Sequence, residues 1–198
     1  MSTPTRILET LHAIALSAWL AALLTGAIVA GIIFPTMRQL EPTFGYFAAY
    51  PNDQADLGAG FIQARVFLAC DFIQFGSACL AILTLIASVV LRRAAAQRAA
   101  FVRALLVAGA LCTFSYHFFV LVPRMDTNAQ RYWAAAREGN LEQAQAFHQA
   151  FIADHPTSVR THSGISFFVL ASLIAATWSL TALPSAPTRT DRPRKDPA

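Results

Sequence analysis

Charged residues are scarce in this chain, at 13% of 198 residues, whereas a typical soluble domain has about 25%. Lysine occurs only once, and hydrophobic residues make up 56% of the chain. This deficit of charge argues against a soluble domain and favours an integral membrane protein. The formal net charge of +4 does not indicate nucleic-acid binding, because the arginines lie between and beside the apolar runs rather than along one face with interleaved aromatics.

Motifs of soluble enzymes and of common metal sites are also absent. The three cysteines, Cys70, Cys79 and Cys112, lie inside apolar runs and have no CxxC spacing. This excludes a zinc ribbon or thioredoxin-like motif and favours buried free thiols. No nucleophile elbow, phosphate loop or pair of catalytic carboxylates occurs. We therefore expect a protein that is not an enzyme.

Four apolar segments are long enough to cross a bilayer, which requires about 20 residues. They cover about residues 8–36, 61–91, 101–123 and 161–183. Lipid offers the backbone no hydrogen-bond partners, so each segment must be helical. The first segment is longer than the apolar core of a signal peptide and is expected to remain as an anchor. The sequence predicts an all-α fold, a four-helix integral membrane bundle over residues 1–183.

Arginine and lysine are distributed unequally between the two sides of such a bundle. Nine of them would share one side with both termini, and six would lie on the other side in much longer loops. The positive-inside rule then predicts a multi-pass protein of the bacterial inner membrane with both termini in the cytoplasm. Residues 184–198, rich in proline and basic residues, are predicted to form a disordered cytoplasmic tail.

The first outer loop, over residues 34–60, contains Pro35, Pro42 and Pro51 around an aromatic stretch at 44–47. Prolines argue against one continuous helix through this loop, because each lacks a backbone N–H and clashes with the preceding turn. The aromatic side chains are suited to a segment that dips into the headgroup region.

The second outer loop, over residues 124–160, has the periodicity of amphipathic helices. The pattern predicts one helix over about 126–136, a break at Gly139, and a second helix over about 141–153 that Pro156 ends. These helices could lie on the membrane surface or extend the third and fourth spans as a hairpin outside it. The sequence leaves both arrangements open.

Asp71 is the only Asp, Glu, Lys, Arg or His between Arg65 and Arg92. A charge in hydrocarbon costs at least about 2.5–3.5 kcal/mol, so this carboxyl must be protonated, paired or hydrated. At about 1.5 Å per residue, Asp71 lies about 9 Å below Arg65, and His117 lies about 10 Å below Arg124. Both side chains are therefore expected at a similar depth on the outer side of the bundle.

Other polar side chains share this depth by helical spacing. The predicted polar locus consists of Asp71, His117, Gln74, Thr113, Tyr116 and Arg65. His12 lies six residues after Arg6, near the opposite face, and is not expected to join it.

Three hypotheses account for this locus. The first is a structural hydrogen-bonded pair between Asp71 and either His117 or Arg65. The second is a zinc or copper site whose candidate ligands are His117, His162, His148, His155 and Asp71, with Cys70 as a further soft ligand. The third is a cavity that conducts a proton or solute through titration of Asp71 and His117. Haem between His117 and His162 is disfavoured, because their depths differ by several residues.

The leading functional hypothesis is therefore a membrane protein that binds or moves a small solute or metal ion at the outer-side locus. One alternative is an accessory or assembly subunit whose spans pack against a larger membrane complex, or against further copies of the same chain. Another is a haem or copper redox subunit. The lipid bilayer is the one partner that the composition itself predicts.

Short motifs of another kind occur at Trp19–Leu23, Phe34-Pro35, Gly58–Phe61, Pro123-Arg124-Met125 and Phe147-His148. They resemble the transmembrane protein 205-like family, four-helix membrane proteins that include many bacterial members of a domain of unknown function. The resemblance covers about residues 8–180 and implies a four-helix fold in which Pro35, Pro123, Arg124 and His148 would occupy shared positions, but it implies no reaction, substrate or cofactor. The chain departs from the family in a longer first outer loop.

Overall fold

The structure is a computed structural model that describes residues 3–91 and 97–181, with side chains over 5–91 and 101–178. No strand occurs in these ranges, so the all-α fold is confirmed. The predicted tail at 184–198 lies outside the described residues. The elements are α1 (Thr3–Leu40), a 3-10 turn (Gly45–Phe47), α2 (Ala55–Leu91), α3 (Gln97–Tyr116), a π-helical segment (His117–Leu121), α4 (Val122–Arg137) and α5 (Leu141–Thr181).

Helix α3, the π-helical segment and α4 follow one another without interruption and form one long helix. Together with α1, α2 and α5 it makes four helices that are long and apolar enough to cross a membrane. The chain is thus a multi-pass helical membrane protein, as its composition predicts.

The four helices form two antiparallel hairpins that lie side by side. Helix α1 contacts α2 along most of its length, α5 contacts α3 and α4, and α1 also contacts α5. In contrast, α2 makes few contacts with α3 and α4. We call this boundary between α2 and α3–α4 the seam.

Apolar side chains at helical spacing hold the bundle together. On α1, Leu16, Trp19 and Leu23 are buried on one face, as expected for residues three and four positions apart. The Trp19 ring meets the Phe114 ring edge-on at 5.4 Å between centroids. Ile165 of α5 belongs to the same buried cluster.

The helices are longer than a bilayer requires. Helix α2 has 37 residues and α5 has 41, or about 55–60 Å at 1.5 Å per residue, against a hydrocarbon thickness of about 30 Å. The additional length lies at the end of the bundle that carries residues 41–54 and the turn at 138–140, which we call the loop end. Of the two arrangements left open for the second loop, the structure has the hairpin that extends the third and fourth spans.

One prediction based on proline is wrong, because Pro156 does not end a helix but lies inside α5. The expectation that no single helix runs through residues 34–60 is confirmed, although α1 continues through Pro35 to Leu40 before it ends. One missing N–H is tolerated when neighbouring helices hold both sides of the helix in place. The predicted break at Gly139 is confirmed, with φ of +74°.

A second apolar core fills the loop end. Buried Phe47 and Leu57 pack against Trp133 of α4 and Ala144 of α5. The buried Gln54 side chain organises the loop, because its Oε1 accepts from the Phe44 N–H at 2.6 Å and its Nε2 donates to the Phe47 and Tyr50 carbonyl groups.

The cysteines are only partly as predicted. Cys70 is buried, but Cys79 and Cys112 are exposed on the outside of the bundle. All three are free thiols. The two exposed thiols lie on helices that are long and apolar enough to cross a membrane, so they are accommodated as small hydrophobic groups.

Candidate functional site

Asp71 and His117 meet across the seam. The side chains are 4% and 2% exposed, and Asp71 Oδ1 lies 3.8 Å from His117 Nε2. Asp71 is on α2 and His117 is the first residue of the π-helical segment. The two hairpins therefore each contribute one titratable group to the same buried position.

The π-helical turn at His117 has a cause in the sequence. Pro123 cannot donate a hydrogen bond to the carbonyl of Phe119 four residues earlier, and its ring would crowd that carbonyl in an α-helix. The chain instead makes one wider turn, in which the Val122 N–H donates to the His117 carbonyl. Single π turns inside α-helices occur frequently at functional sites. Here the wide turn starts at the imidazole that faces Asp71.

Hydrogen bonds define the tautomer of His117. Its Nδ1 lies 3.4 Å from Thr161 Oγ1, and that hydroxyl already donates its only hydrogen to the Ser158 carbonyl at 2.9 Å. Thr161 therefore accepts from Nδ1–H, so in the neutral imidazole Nε2 carries no proton. Nε2 has no hydrogen-bond partner among the described residues. It faces Asp71 Oδ1 at 3.8 Å, so a proton between the two atoms would give both a hydrogen-bond partner.

Gln74 completes the α2 side of the site. It is 1% exposed, and its Nε2 donates to Asp71 Oδ1 at 3.1 Å. This bond orients the carboxyl toward His117. Thr113, one turn before His117 on α3, is half-buried and donates to the Gly109 carbonyl at 2.9 Å. Its methyl group packs beside Gly164 of α5, so Thr113 forms the side of the site nearest the bundle centre.

Two predicted members of the locus lie elsewhere. Arg65 is exposed and does not pair with Asp71, because its guanidinium lies over the Phe61 ring at 4.0 Å and donates to the Phe61 carbonyl. Tyr116 is 42% exposed and interacts with Arg124 instead. Both corrections have one physical cause: long side chains near the membrane boundary reach outward to polar or aromatic surroundings rather than into the bundle.

The proposed metal ligands do not converge. Only His162 joins the site, with its ring edge-on to that of His117 at 4.4 Å between centroids. His148 stacks on Tyr132 at 4.7 Å, in the loop-end core, and His155 is exposed beside Phe151. Over residues 3–91 and 97–181, no group of three His, Cys, Asp or Glu side chains could hold a metal ion. The direct ring contact also leaves no space for a haem between His117 and His162.

A second buried polar cluster, missed from the sequence, lies at the opposite end of the bundle, where α1 begins. Arg103 Nη1 donates to Glu9 Oε2 at 2.7 Å, and the two side chains are 4% and 0% exposed. His12 is fully buried beside them, and its Nδ1 lies 3.0 Å from Thr84 Oγ1 and 3.1 Å from the Ala81 carbonyl.

A signal for this cluster was present in the sequence. Glu9 and His12 stand at the same heptad spacing as Leu16, Trp19 and Leu23, so they belong to the buried face of α1. The depth count from Arg6 predicts that His12 lies at the end of the bundle away from Asp71, as the structure has it, but it does not identify the neighbours of His12. Arg103, one of the basic residues at this end, is buried.

Comparison with known proteins adds no assignment. No protein-family model, no curated protein and no solved structure matches this chain. The resemblance to the transmembrane protein 205-like family stays a prediction.

Proposed function

We propose that this chain is a non-enzymatic membrane protein that binds a small cation, a proton, between Asp71 and His117. In this proposal the protein resides in a bacterial inner membrane with both termini in the cytoplasm and the loop end outside. The site then lies in the outer half of the bundle, on the seam between the two hairpins.

One observation carries the proposal: Asp71 Oδ1 and His117 Nε2 face each other at 3.8 Å in a nearly fully buried position. With Nδ1–H engaged by Thr161, Nε2 is an acceptor, and an ionised carboxyl group is also an acceptor. A proton between them removes the repulsion and makes a charge-assisted hydrogen bond. Such bonds are about 2.7–2.9 Å long, so the pair must close by roughly 1 Å when the proton binds.

A proton fits this site better than a metal ion. Zinc prefers four protein or water ligands in a tetrahedron, whereas the described part of the chain brings only Asp71, His117 and His162 near one another. The π turn also supports a binding role, because single π turns inside α-helices occur frequently at functional sites.

The proton can be detected by NMR of protein labelled at histidine nitrogens and aspartate Cγ. The chain has five histidines, so each ring signal can be assigned by single substitution. We expect the pair to hold one proton at neutral pH, seen as a hydrogen-bonded proton on His117 Nε2 or as a protonated Asp71 carboxyl. An ionised Asp71 together with an unprotonated Nε2 in the same sample would contradict the proposal.

Asp71→Asn keeps the shape of the side chain but removes the acid, so this variant should lose the shared proton. Asp56→Asn is the matched control, because Asp56 lies on the same helix in an exposed ion pair with Arg38. Zinc added to the wild-type protein tests the metal hypothesis. Stoichiometric changes in the ring signals of both His117 and His162 would show that the site binds a metal ion rather than a proton.

A further inference from the structure

The polar side chains of the apolar part of α2, from Gly60 to Leu91, lie on its buried face, apart from Arg65. Between Gly60 and Leu91, every hydroxyl, amide and carboxyl side chain is at most 8% exposed. Only Arg65, at the membrane boundary, points outward. From Gln63 to Ser88 the row covers 25 residues, or about 38 Å of helix, which exceeds the hydrocarbon thickness of about 30 Å. Its members are Gln63, Asp71, Gln74, Ser77, Thr84 and Ser88.

Several atoms along this row and opposite it lack protein partners. Hydroxyl groups on the lipid side are satisfied locally; for example, Thr25 donates to the Ala21 carbonyl at 2.8 Å. Atoms in the interior are not, and a polar atom without a partner inside a membrane is strongly unfavourable. Among the described residues, the buried atoms without a hydrogen-bond partner on this path are Gln63 Oε1, Gln74 Oε1, Ser88 Oγ, His117 Nε2, Trp19 Nε1 and His12 Nε2.

Water is the partner that suits these positions. Buried waters in proteins typically bridge polar groups that otherwise lack partners. The row lies on the interior face of α2. Internal waters placed beside its unpartnered atoms would connect one polar group of the row to the next.

His12 gives this row a second titratable group, at the end where α1 begins. The Ala81 carbonyl can only accept, so His12 Nδ1 is the donor and Nε2 is the free basic nitrogen. Thr84, which bonds His12, lies 13 residues from Asp71 on α2, or about 20 Å along the helix. The charged groups that face His12 are Glu9 on its own helix and Arg103 on α3.

We propose that the buried polar row of α2 and the side chains opposite it form a proton pathway across the whole bundle, in which Asp71–His117 is the titratable site near the loop end and His12 is the titratable site near the other end. This inference rests on the proposed function of the Asp71–His117 site and extends it from binding to conduction. Waters beside Gln74, Ser77 and Trp19 bridge the two titratable sites. At His12, a protonated water gives its proton to Nε2 and becomes neutral, and Nε2 then returns a proton to a second water.

The test is proton uptake into liposomes that contain the full chain and a pH-sensitive dye, driven by a potassium diffusion potential. His12→Asn is the key variant, because the asparagine amide nitrogen takes the place of Nδ1 and keeps the bonds to Ala81 and Thr84, while Nε2 is lost. Ser77→Val is the second variant, and it blocks the row between the two titratable sites without removing a titratable group. We expect each to slow uptake by about tenfold or more, since a relay conducts no faster than its slowest transfer.

Matched controls are Cys79→Val and Thr25→Val, which change lipid-facing groups on α2 and α1 and should leave uptake unchanged. If liposomes with the wild-type protein take up protons no faster than protein-free liposomes, the proposed pathway is wrong. It is also wrong if His12→Asn and Ser77→Val both leave proton uptake undiminished. The two proposals fail separately. If NMR shows the shared proton on Asp71–His117 but the liposomes show no proton uptake, only the pathway is wrong. If the wild-type protein shows no shared proton by NMR, the proposed binding site is wrong.

Discussion

The buried ion pair between Glu9 and Arg103 allows a sharp test of what burial does to an electrostatic interaction in this bundle. The chain has a second pair with the same contact distance: Arg38 Nε and Asp56 Oδ1 are also 2.7 Å apart. Side chains of the Arg38 pair are 61% and 52% exposed, whereas those of the Arg103 pair are 4% and 0% exposed. The shortest contact is thus the same in the two pairs, although Arg38 holds Asp56 through two hydrogen bonds, and burial differs.

Arg103→Met removes the cation and leaves the Glu9 carboxyl in the interior. Removing one partner of a buried pair costs about 3–5 kcal/mol, because the remaining charge loses its compensation. We expect a decrease of that size in the free energy of unfolding. Arg38→Met should have a much smaller effect, since water and salt already screen an exposed pair.

Stability can be measured in mixed micelles by SDS titration, with helicity followed by circular dichroism. The double variant Glu9→Met with Arg103→Met completes a thermodynamic cycle. It should be clearly more stable than Arg103→Met alone, because neither charge is then buried. If Arg103→Met destabilised the protein no more than Arg38→Met, or if the double variant were as unstable as the single one, the assignment of a tightly coupled buried pair would be wrong.

Two further predictions concern the helices that position the site. Gly109→Ala should lower the free energy of unfolding by about 1–3 kcal/mol, because its Cβ would come within 2.8 Å of the Phe168 ring. The control is Gly31→Ala, which has open space around the new Cβ and should be neutral or slightly stabilising in the same SDS titration. Pro123→Ala restores a donor for an α-helical turn, which would rotate His117 by about 100° about the helix axis. We expect doubling or broadening of the His117 ring signal in NMR; one sharp, unchanged signal would show that side-chain contacts alone maintain the π turn.

Local rules alone accounted for the four spans and for the turn at Gly139. Long uncharged segments have no alternative to helix in lipid, and Gly139 adopts a positive φ that other residues rarely adopt. The depth count from flanking arginines placed Asp71 and His117 at one level, and the structure brings their side chains to 3.8 Å. That count worked because helix rise is constant, so depth is a property of the sequence.

Local rules failed where a side chain or a helix could adopt more than one arrangement. Pro156 could end a helix or be carried inside one, and contacts of α4 with α5, including the Arg124–Asp154 ion pair, favour the continuous helix. Arg65 and Tyr116 could point inward or outward, and partners near the boundary drew both outward. The direction of a side chain around the helix axis depends on which neighbour it finds.

Composition and periodicity by themselves determined that this protein is a helical bundle for a membrane, with an acid and an imidazole at one depth. Tertiary structure alone decided that His12, Glu9 and Arg103 form a second buried cluster, and that the polar side chains of α2 between Gly60 and Leu91, apart from Arg65, are buried in the bundle. The reason is physical. Distance along a helix follows from residue number, whereas the meeting of two helix faces follows from how four helices pack, and no single segment contains that information.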